Sequence, residues 1–245
     1  MDSGVAENRF ALVVPTLNEA GNIGYLLSEL TDALNSTQYD YEIVVVDDGS
    51  TDGTVEQVRD WAKRDPRIRL FSRAGERGLA GAVLYGWRQC RANLLGVIDA
   101  DLQHPPELLP ELLRAAERAD IVIASRYAQN HGTKGWNPLR AAISRLSTLV
   151  AAPLISKKKL RVTDPMSGFF IIKRRCIEGL TFQPTGFKLL LEILVRGRIQ
   201  TAGEIPYRFG LRRMGRSKAN ATVALHYLHL LGRLSRDLVL HSNEQ

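Results

Sequence analysis

The strongest constraint on what this chain can become is an alternation. Short apolar or β-branched runs, each ending in polar or acidic residues, are separated by stretches whose apolar residues recur at helical spacing. Phe10–Val14 stops at Pro15, and Asn22–Leu34 then repeats Ile23, Leu26, Leu27, Leu30 and Leu34 along one helix face. Tyr41–Val46 reads as a second strand, Thr54–Lys63 as a helix and Ile68–Phe71 as a third strand. Gly81–Ala92 is helical in pattern, with Val83, Leu84, Trp87 and Cys90 in register. Leu94–Ile98 follows as a buried strand, Pro106–Ala119 as a Pro-started helix and Ile121–Ala124 as another strand. Strands alternating with helices predict an α/β fold with a mostly parallel central sheet and helices on both faces. Such sheets bind ligands beyond the carboxyl ends of their strands.

The residues after the strand ends are therefore the ones to examine. They are Pro15-Thr16-Leu17-Asn18-Glu19, Asp47-Asp48-Gly49-Ser50-Thr51-Asp52, Asp99-Ala100-Asp101-Leu102-Gln103-His104-Pro105-Pro106 and Ser125-Arg126-Tyr127. No G-x-G-x-x-G follows the first strand and no G-x-x-x-x-G-K-[ST] occurs, which argues against dinucleotide-binding and P-loop sites. An Asp-x-Asp at a strand end points two hard carboxylates the same way. The pair either holds Mg2+ or Mn2+ with positions left for phosphate oxygens, or serves as a turn or cap. Cys90 and Cys176 form no C-x-x-C and have no paired His, so neither zinc nor a disulfide framework is indicated, and a reducing compartment is expected.

The net charge of +7 hides an asymmetry. Residues 1–122 hold 12 Lys and Arg against 20 Asp and Glu, whereas residues 123–245 hold 21 against 6. An acidic half suited to a cation and a basic half suited to phosphates or an anionic surface is one interpretation; solvated charge on unrelated faces is the other. Nucleic acid is a poor partner, because aromatic residues are only 7% and are not interleaved with the Lys and Arg. Met1–Arg9 lacks the apolar core of a secretory signal, and no apolar stretch reaches the roughly 20 residues of a membrane span. Leu139–Ile155, followed by Lys157, Lys158 and Lys159, and Val223–Leu240 are each either a core helix or an interfacial one.

The ordered series VVPTLNE, VVVDDGSTDGT, ERGLAGA, IDADLQHPPE, ASRY, DPMSGFF, GFK with Glu192, and RRMGRSK resembles family-two inverting glycosyltransferases of the GT-A (Rossmann-like, nucleotide-diphospho-sugar transferase) fold. Within them it is most similar to the dolichol-phosphate (polyprenol-phosphate) mannose synthases. The match runs from about Ala11 to Lys218. It implies a GT-A domain over residues 1–218, with a nucleotide and metal half to about 122 and an acceptor half beyond it. A C-terminal amphipathic helix at 219–245 and no transmembrane span would complete the chain.

The resemblance also assigns residues. Pro15, Leu17 and Glu19, with Val46 and Asp48, would line the guanosine pocket; the family more often has Tyr at the position of Leu17. Asp47 is expected to shape the turn. Arg73 and Arg77 either approach the nucleotide or sit in a solvated loop. Asp99, Ala100 and Asp101 would meet the nucleotide sugar, with Asp99, Asp101 and Gln103 on the metal and His104 left to the turn. Arg126 and Arg212 resemble arginines that approach the donor diphosphate and the acceptor phosphate, and Lys218 resembles a lysine on the donor phosphates. Planar guanidinium forks suit that work. Arg140 and Ser144 match residues on the lipid-linked phosphate, which favours the interfacial alternative for their helix. Asp164 would position the sugar or the acceptor loop, or act as a structural cap; Glu192 is a further acidic candidate, and Gly168 would permit close backbone approach.

The implied activity is metal-dependent transfer of mannose from GDP-mannose to dolichyl or polyprenyl phosphate, with Asp101, Arg126 and Arg212 as the catalytic residues. A UDP-sugar donor, as in a polyprenyl-phosphate glucosyltransferase, and a non-catalytic partner subunit are the rivals. The expected location is the cytoplasmic face of a membrane, held peripherally: the plasma membrane in a prokaryote, the endoplasmic reticulum in a eukaryote. A separate membrane-anchoring subunit is a possible partner.

Overall fold

The computed structural model describes residues 9–73, 75, 78–128, 151–155, 160–182, 188–208, 210 and 232. In chain order they form β1 (Arg9–Thr16), α1 (Ile23–Asn35), β2 (Asp40–Asp47), α2 (Thr54–Arg64), β3 (Ile68–Ser72), α3 (Leu79–Arg88) and β4 (Leu94–Val97). A 3-10 turn at Pro106–Leu108 leads into α4 (Leu109–Ala116) and β5 (Ile121–Ser125). Then come β6 (Phe170–Lys173), a 3-10 turn at Arg174–Cys176, α5 (Leu189–Arg196) and β7 (Ala202–Pro206). Residues 151–155 are also helical.

The strands make one seven-stranded sheet in the order β3-β2-β1-β4-β6-β5-β7. β1 pairs in parallel with β2 and β4, β2 with β3, and β5 with β7. Only β6 runs against its neighbours, β4 and β5. The sheet is mostly parallel, as the alternation predicts, and it draws strands from both sides of residue 122.

Each face of the sheet carries its own core. Ala11, Val13, Val44, Val46, Leu95 and Val97 face α3, α5 and residues 151–155. Phe10, Leu12, Val14, Ile43 and Val45 face α1, α2 and α4. The five apolar residues that defined the α1 stripe are all buried, each contributing about 1.5–3 kcal/mol relative to exposure. α3 lies close on the sheet because Gly86 has no side chain: a Cβ there would come 2.8 Å from Val13.

Three boundaries depart from the sequence pattern for identifiable reasons. β1 continues through Pro15 to Thr16. Backbone groups alternate sides along a strand, and Val13 faces β4, so Pro15 turns its missing N–H to the same side, where β4 pairing has already ended at Val97. α3 ends at Arg88, although Cys90 and Ala92 keep the helical register of burial. There the Arg174 guanidinium takes the carbonyls of Cys90 and Ala92 at 2.9 and 2.6 Å, so the chain stays buried after the helix stops. The helix expected over Pro106–Ala119 divides, because Pro110 has no N–H to offer and is tolerated only in a first turn.

No helix among the described residues is long and apolar enough to cross a membrane. Most of Leu139–Ile155 and essentially all of 219–245 lie outside the described residues.

Candidate active site

The carboxyl ends of β1 and β2 build one wall of the site. Pro15 pairs with Val46 and Thr16 with Asp47 across the two strands, so residues 15–19 and 46–48 emerge side by side. Asp47, 1% exposed, is consumed by the turn it starts. It accepts the N–H groups of Gly49 and Ser50 at 3.0 and 2.8 Å, the Thr16 hydroxyl at 2.9 Å and the Ser50 hydroxyl. Asn18, at φ 55, accepts from Thr51 N and donates its own N–H to Ser50, tying the two strand-end loops together. Glu19 takes the Asn22 amide at 2.9 Å. Pro15, Leu17 and Glu19 remain partly exposed beside buried Val46.

Asp48 is more enclosed than the resemblance suggests. Its two oxygens accept Arg73 Nε and Nη2 at 2.7 and 2.8 Å, and Oδ2 also accepts Gly78 N–H at 2.8 Å. Both side chains of the pair are under 10% exposed. Asp48 thus fixes the entry to α3, and Arg73 is held in that ion pair instead of a solvated loop. Arg77 lies outside the described residues.

Beyond β4 the chain makes the acidic turn. β4 ends at Val97, so strand pleating does not align Asp99 with Asp101, contrary to the expectation from alternation. The chain turns at this point: Asp101 Oδ1 accepts Gln103 N–H at 3.1 Å, and Leu102 enters the left-handed region at φ 58. Ala100 and Asp101 are buried. Gln103 exchanges hydrogen bonds with Gly210, its Nε2 donating to Gly210 O at 3.2 Å and its carbonyl accepting Gly210 N–H at 2.9 Å. Asp99 packs against Gly168: a Cβ on that glycine would lie 2.3 Å from Asp99 Oδ2. This is the close approach that Gly168 permits.

His104, assigned to the turn, is also buried. It is 2% exposed, with Nδ1 2.8 Å from the Tyr207 hydroxyl and Nε2 3.4 Å from Asp99 Oδ2. Its ring meets Phe169 edge-on at 5.8 Å. Burial pushes the Tyr207 hydroxyl up, Arg126 opposes the shift, and Asp164, Asp99 and Asp101 reinforce it.

Arg126 follows β5 and is gripped by Asp164. Nε and Nη2 each donate at 2.7 Å to the two carboxylate oxygens, and the Arg126 backbone N–H adds a third bond at 3.0 Å. Asp164 is wholly buried. Burial alone would lower the Arg126 pKa, but the hydrogen bonds and charge of Asp164 outweigh it and raise it. The Asp164 loop is set by Glu204 of β7, which accepts the N–H groups of Thr163 and Asp164 at 2.9 and 3.0 Å. Of the sequence-level alternatives for Asp164, the sugar, the acceptor loop or a cap, the structure points to a different one: holding Arg126.

Lys188, just before α5, stands in the field of the same groups. Burial and then the neighbouring Arg126 push its pKa down to about 8, against the opposing pull of Asp164 and Asp99. Lys188 stands in the GFK motif, which by itself gives it no role. Glu192 does not stand out into the site: it is buried in α5, 3.4 Å from Arg196. Arg140, Ser144, Arg212 and Lys218 lie outside the described residues.

A divalent cation suits the acidic turn. Asp99 Oδ1 is buried with no hydrogen-bond partner among the described residues, a costly arrangement for a carboxylate oxygen that a cation would relieve. No group of three His, Cys, Asp or Glu side chains converges among the described residues. Two carboxylates supplemented by amide and phosphate oxygens is the donor set Mg2+ and Mn2+ accept.

Comparison with known proteins agrees with this geometry. A family model for glycosyl transferase family 2 matches residues 11–191. The dolichol-phosphate mannosyltransferase of Saccharomyces cerevisiae is 34% identical over 92% of this chain and 86% of its own length, and that of Mycosarcoma maydis is 36% identical over 92% and 79%. The Pyrococcus furiosus protein of the same name is 37% identical over 93% of this chain, which spans 64% of that relative's length. Among solved structures, the glucosyl-3-phosphoglycerate synthase of Mycobacterium tuberculosis with Mg2+ and UDP superposes with a TM-score of 0.70 at 19% identity, over 94% of this chain and 80% of that one. Its complex with Mn2+, UDP and glucosyl-3-phosphoglycerate gives 0.64 at 21% identity, over 96% and 78%. These structures establish the GT-A fold. With the family model over most of the chain, and with relatives this similar along nearly its whole length, the chain belongs to glycosyltransferase family 2, alongside the dolichol-phosphate mannosyltransferases.

Proposed function

We propose that this glycosyltransferase moves mannose from GDP-mannose to dolichyl or another polyprenyl phosphate at a membrane surface, giving polyprenyl β-D-mannosyl phosphate and GDP. The observation that carries the proposal is the meeting, at one edge of the sheet, of the Asp99–Asp101 turn with Arg126 locked by Asp164. Lys188 and Tyr207 each feel the charges of both Asp99 and Arg126, so acidic groups for a cation and a guanidinium for phosphate share the same neighbours. The choice of mannose and of a lipid phosphate draws its support from the names of the relatives.

In this proposal Pro15, Leu17, Glu19 and Val46 line the nucleoside pocket, and Asp48 acts there through the Arg73 pair that it holds. Asp99 and Asp101, with Gln103, hold Mg2+ or Mn2+, and Ala100 meets the nucleotide sugar. The ion supplies charge neutralisation for the diphosphate leaving group. Arg126, fixed in one rotamer by Asp164, orients phosphate oxygens with its planar fork. Arg212 and Lys218 join it on the phosphates, and Arg140 and Ser144 on the acceptor. The acceptor phosphate monoester is already largely ionised at neutral pH, so its oxygen attacks C1 without a dedicated base. A C1–O bond to the acceptor phosphate forms as the C1–O bond to GDP breaks, and attack from the opposite face inverts C1. Alignment and charge complementarity lower the barrier. The sequence around Arg140 and that at 219–245 are the parts proposed to meet the cytoplasmic leaflet, and a membrane-anchoring subunit is a candidate partner.

Labelled GDP-mannose incubated with liposomes containing polyprenyl phosphate, with and without Mg2+ or Mn2+, tests the proposal. A mannolipid formed only with metal is expected. Transfer from UDP-sugars alone would overturn the donor, and transfer only to a soluble hydroxyl acceptor would overturn the lipid phosphate.

A further inference from the structure

A metal-binding carboxylate works only if it is aimed, and Asp99 stands against a buried chain of two side chains, His104 from its own turn and Tyr207 from just past β7. Its Oδ2 is 3.4 Å from His104 Nε2, and on the far side of the ring Nδ1 is 2.8 Å from the Tyr207 hydroxyl. The ring is clamped between Phe169, 5.8 Å centroid to centroid, and Tyr207 itself at 5.5 Å. Tyr207 is anchored in turn by its backbone N–H, which donates to Ser125 O at 3.1 Å next to Arg126. Tyr207 and His104 are 4% and 2% exposed, so water does not readily substitute for either partner. One tautomer serves both ends: with the Tyr207 O–H donating to Nδ1, the ring proton sits on Nε2, the nitrogen 3.4 Å from Asp99 Oδ2. With Oδ2 nearest the imidazole and Gly168 packed against the carboxylate, Asp99 Oδ1 is the oxygen left buried without a hydrogen-bond partner among the described residues.

We propose that Tyr207 and His104 are positioning residues for divalent-metal binding: the chain Tyr207–His104–Asp99 turns the carboxylate so that Oδ1 is the oxygen offered to the cation. The inference rests on the metal-dependent reading above and adds two residues to it. Supporting partners of metal-binding groups are worth about 10- to 100-fold in affinity or activity when removed. Tyr207 acts through His104 and so falls at the lower end.

The test is Mn2+ titration of the whole protein with GDP present, followed by electron paramagnetic resonance of free Mn2+, with no turnover involved. Tyr207→Phe, which deletes one hydroxyl, should weaken Mn2+ by roughly tenfold, and His104→Leu by more. Transfer by Tyr207→Phe should recover as Mn2+ is raised, a change in the metal concentration required and not in kcat. Ile172→Val, a core change remote from the turn, serves as the control for stability alone and should leave Mn2+ affinity unchanged. If the wild type binds Mn2+ and Tyr207→Phe binds it equally well, the positioning role is overturned while the metal site stands. If the wild type binds no Mn2+ even with GDP, the metal-dependent reading fails and the inference fails with it.

Discussion

Gly168→Ala should separate the chemistry of the acidic turn from the stability of the fold. The new Cβ would start 2.3 Å from Asp99 Oδ2, 2.8 Å from Cγ and 2.9 Å from Oδ1. Its closest partner is the end of a short side chain, so the carboxylate yields and the backbone does not have to move. Reaching van der Waals separation takes a retreat of roughly 1 Å. Forcing Asp99 off its rotamer costs about 0.5–1.5 kcal/mol. Gly168 is not in the left-handed region, so alanine is compatible with its backbone and recovers about 0.4–1 kcal/mol from the unfolded chain. The two effects nearly cancel, and a residue of about 1 kcal/mol moves the melting midpoint of a domain this size by only about 2–4 °C.

Function should not be spared in the same way. A 1 Å displacement of Asp99 breaks its 3.4 Å contact with His104 and misplaces the oxygen assigned to the cation. Misplacements of that size cost about 100-fold, or about 2.7 kcal/mol in activation free energy. Thermal denaturation should therefore look almost native while metal-dependent transfer falls by two orders of magnitude. A variant with native melting and native transfer would show that the Asp99 position is immaterial and would remove the basis for the metal assignment. A variant that does not fold would show that Gly168 serves packing instead.

Other perturbations divide along the same line. Asp164→Asn leaves the Arg126 guanidinium buried without its counter-charge and should cost about 3–5 kcal/mol in urea denaturation; a loss below 1 kcal/mol would mean that the pair is not the closed unit described here. Asp101→Ala should abolish transfer with little change in melting, and activity of that variant in EDTA would contradict the mechanism. Lys188 should titrate near pH 8 by NMR of its Nζ in the ligand-free protein. Its folded pKa lies below the unfolded value, so its buried charge is a cost that is fully present below about pH 8 and is relieved as pH rises toward 10.5. Wild-type stability should accordingly gain on Lys188→Met across that window, and a loss would reverse the assignment.

Much of the fold was legible because its signals are local. The α1 stripe and the β-branched runs of β1 and β2 specify their own elements, and a turn-forming Asp47-Asp48-Gly49-Ser50 announces the end of a strand. Arg126 and the Asp99–Asp101 pair stand out as candidates for the same reason, since each follows a recognisable strand. Which residues they pair with is not legible in this way. Asp164 lies 38 residues from Arg126 and Tyr207 lies 103 from His104, separations across which no periodicity acts. Lys188 carries no sequence signal beyond the motif in which it stands, because its environment is assembled by tertiary packing.

The direction of one strand explains which residues the strand-end rule does not reach. The rule that functional groups follow strands holds where strands run parallel, because all their carboxyl ends then share one edge. β6 runs the other way: its first residue, Phe170, lies opposite Val97 at the end of β4 and beside Ile123 near the end of β5. The segment that precedes β6 is therefore the one delivered to the site edge, and it carries both Asp164 and Gly168. β7, parallel to β5, obeys the rule and delivers Tyr207 just past its end, but its Ala-Gly-Glu-Ile-Pro run is too weak a strand signal to direct attention there. The acidic turn and the arginine could be read from the chain. The residues that aim them sit where an antiparallel strand reverses the expected order and where a short strand conceals its own end.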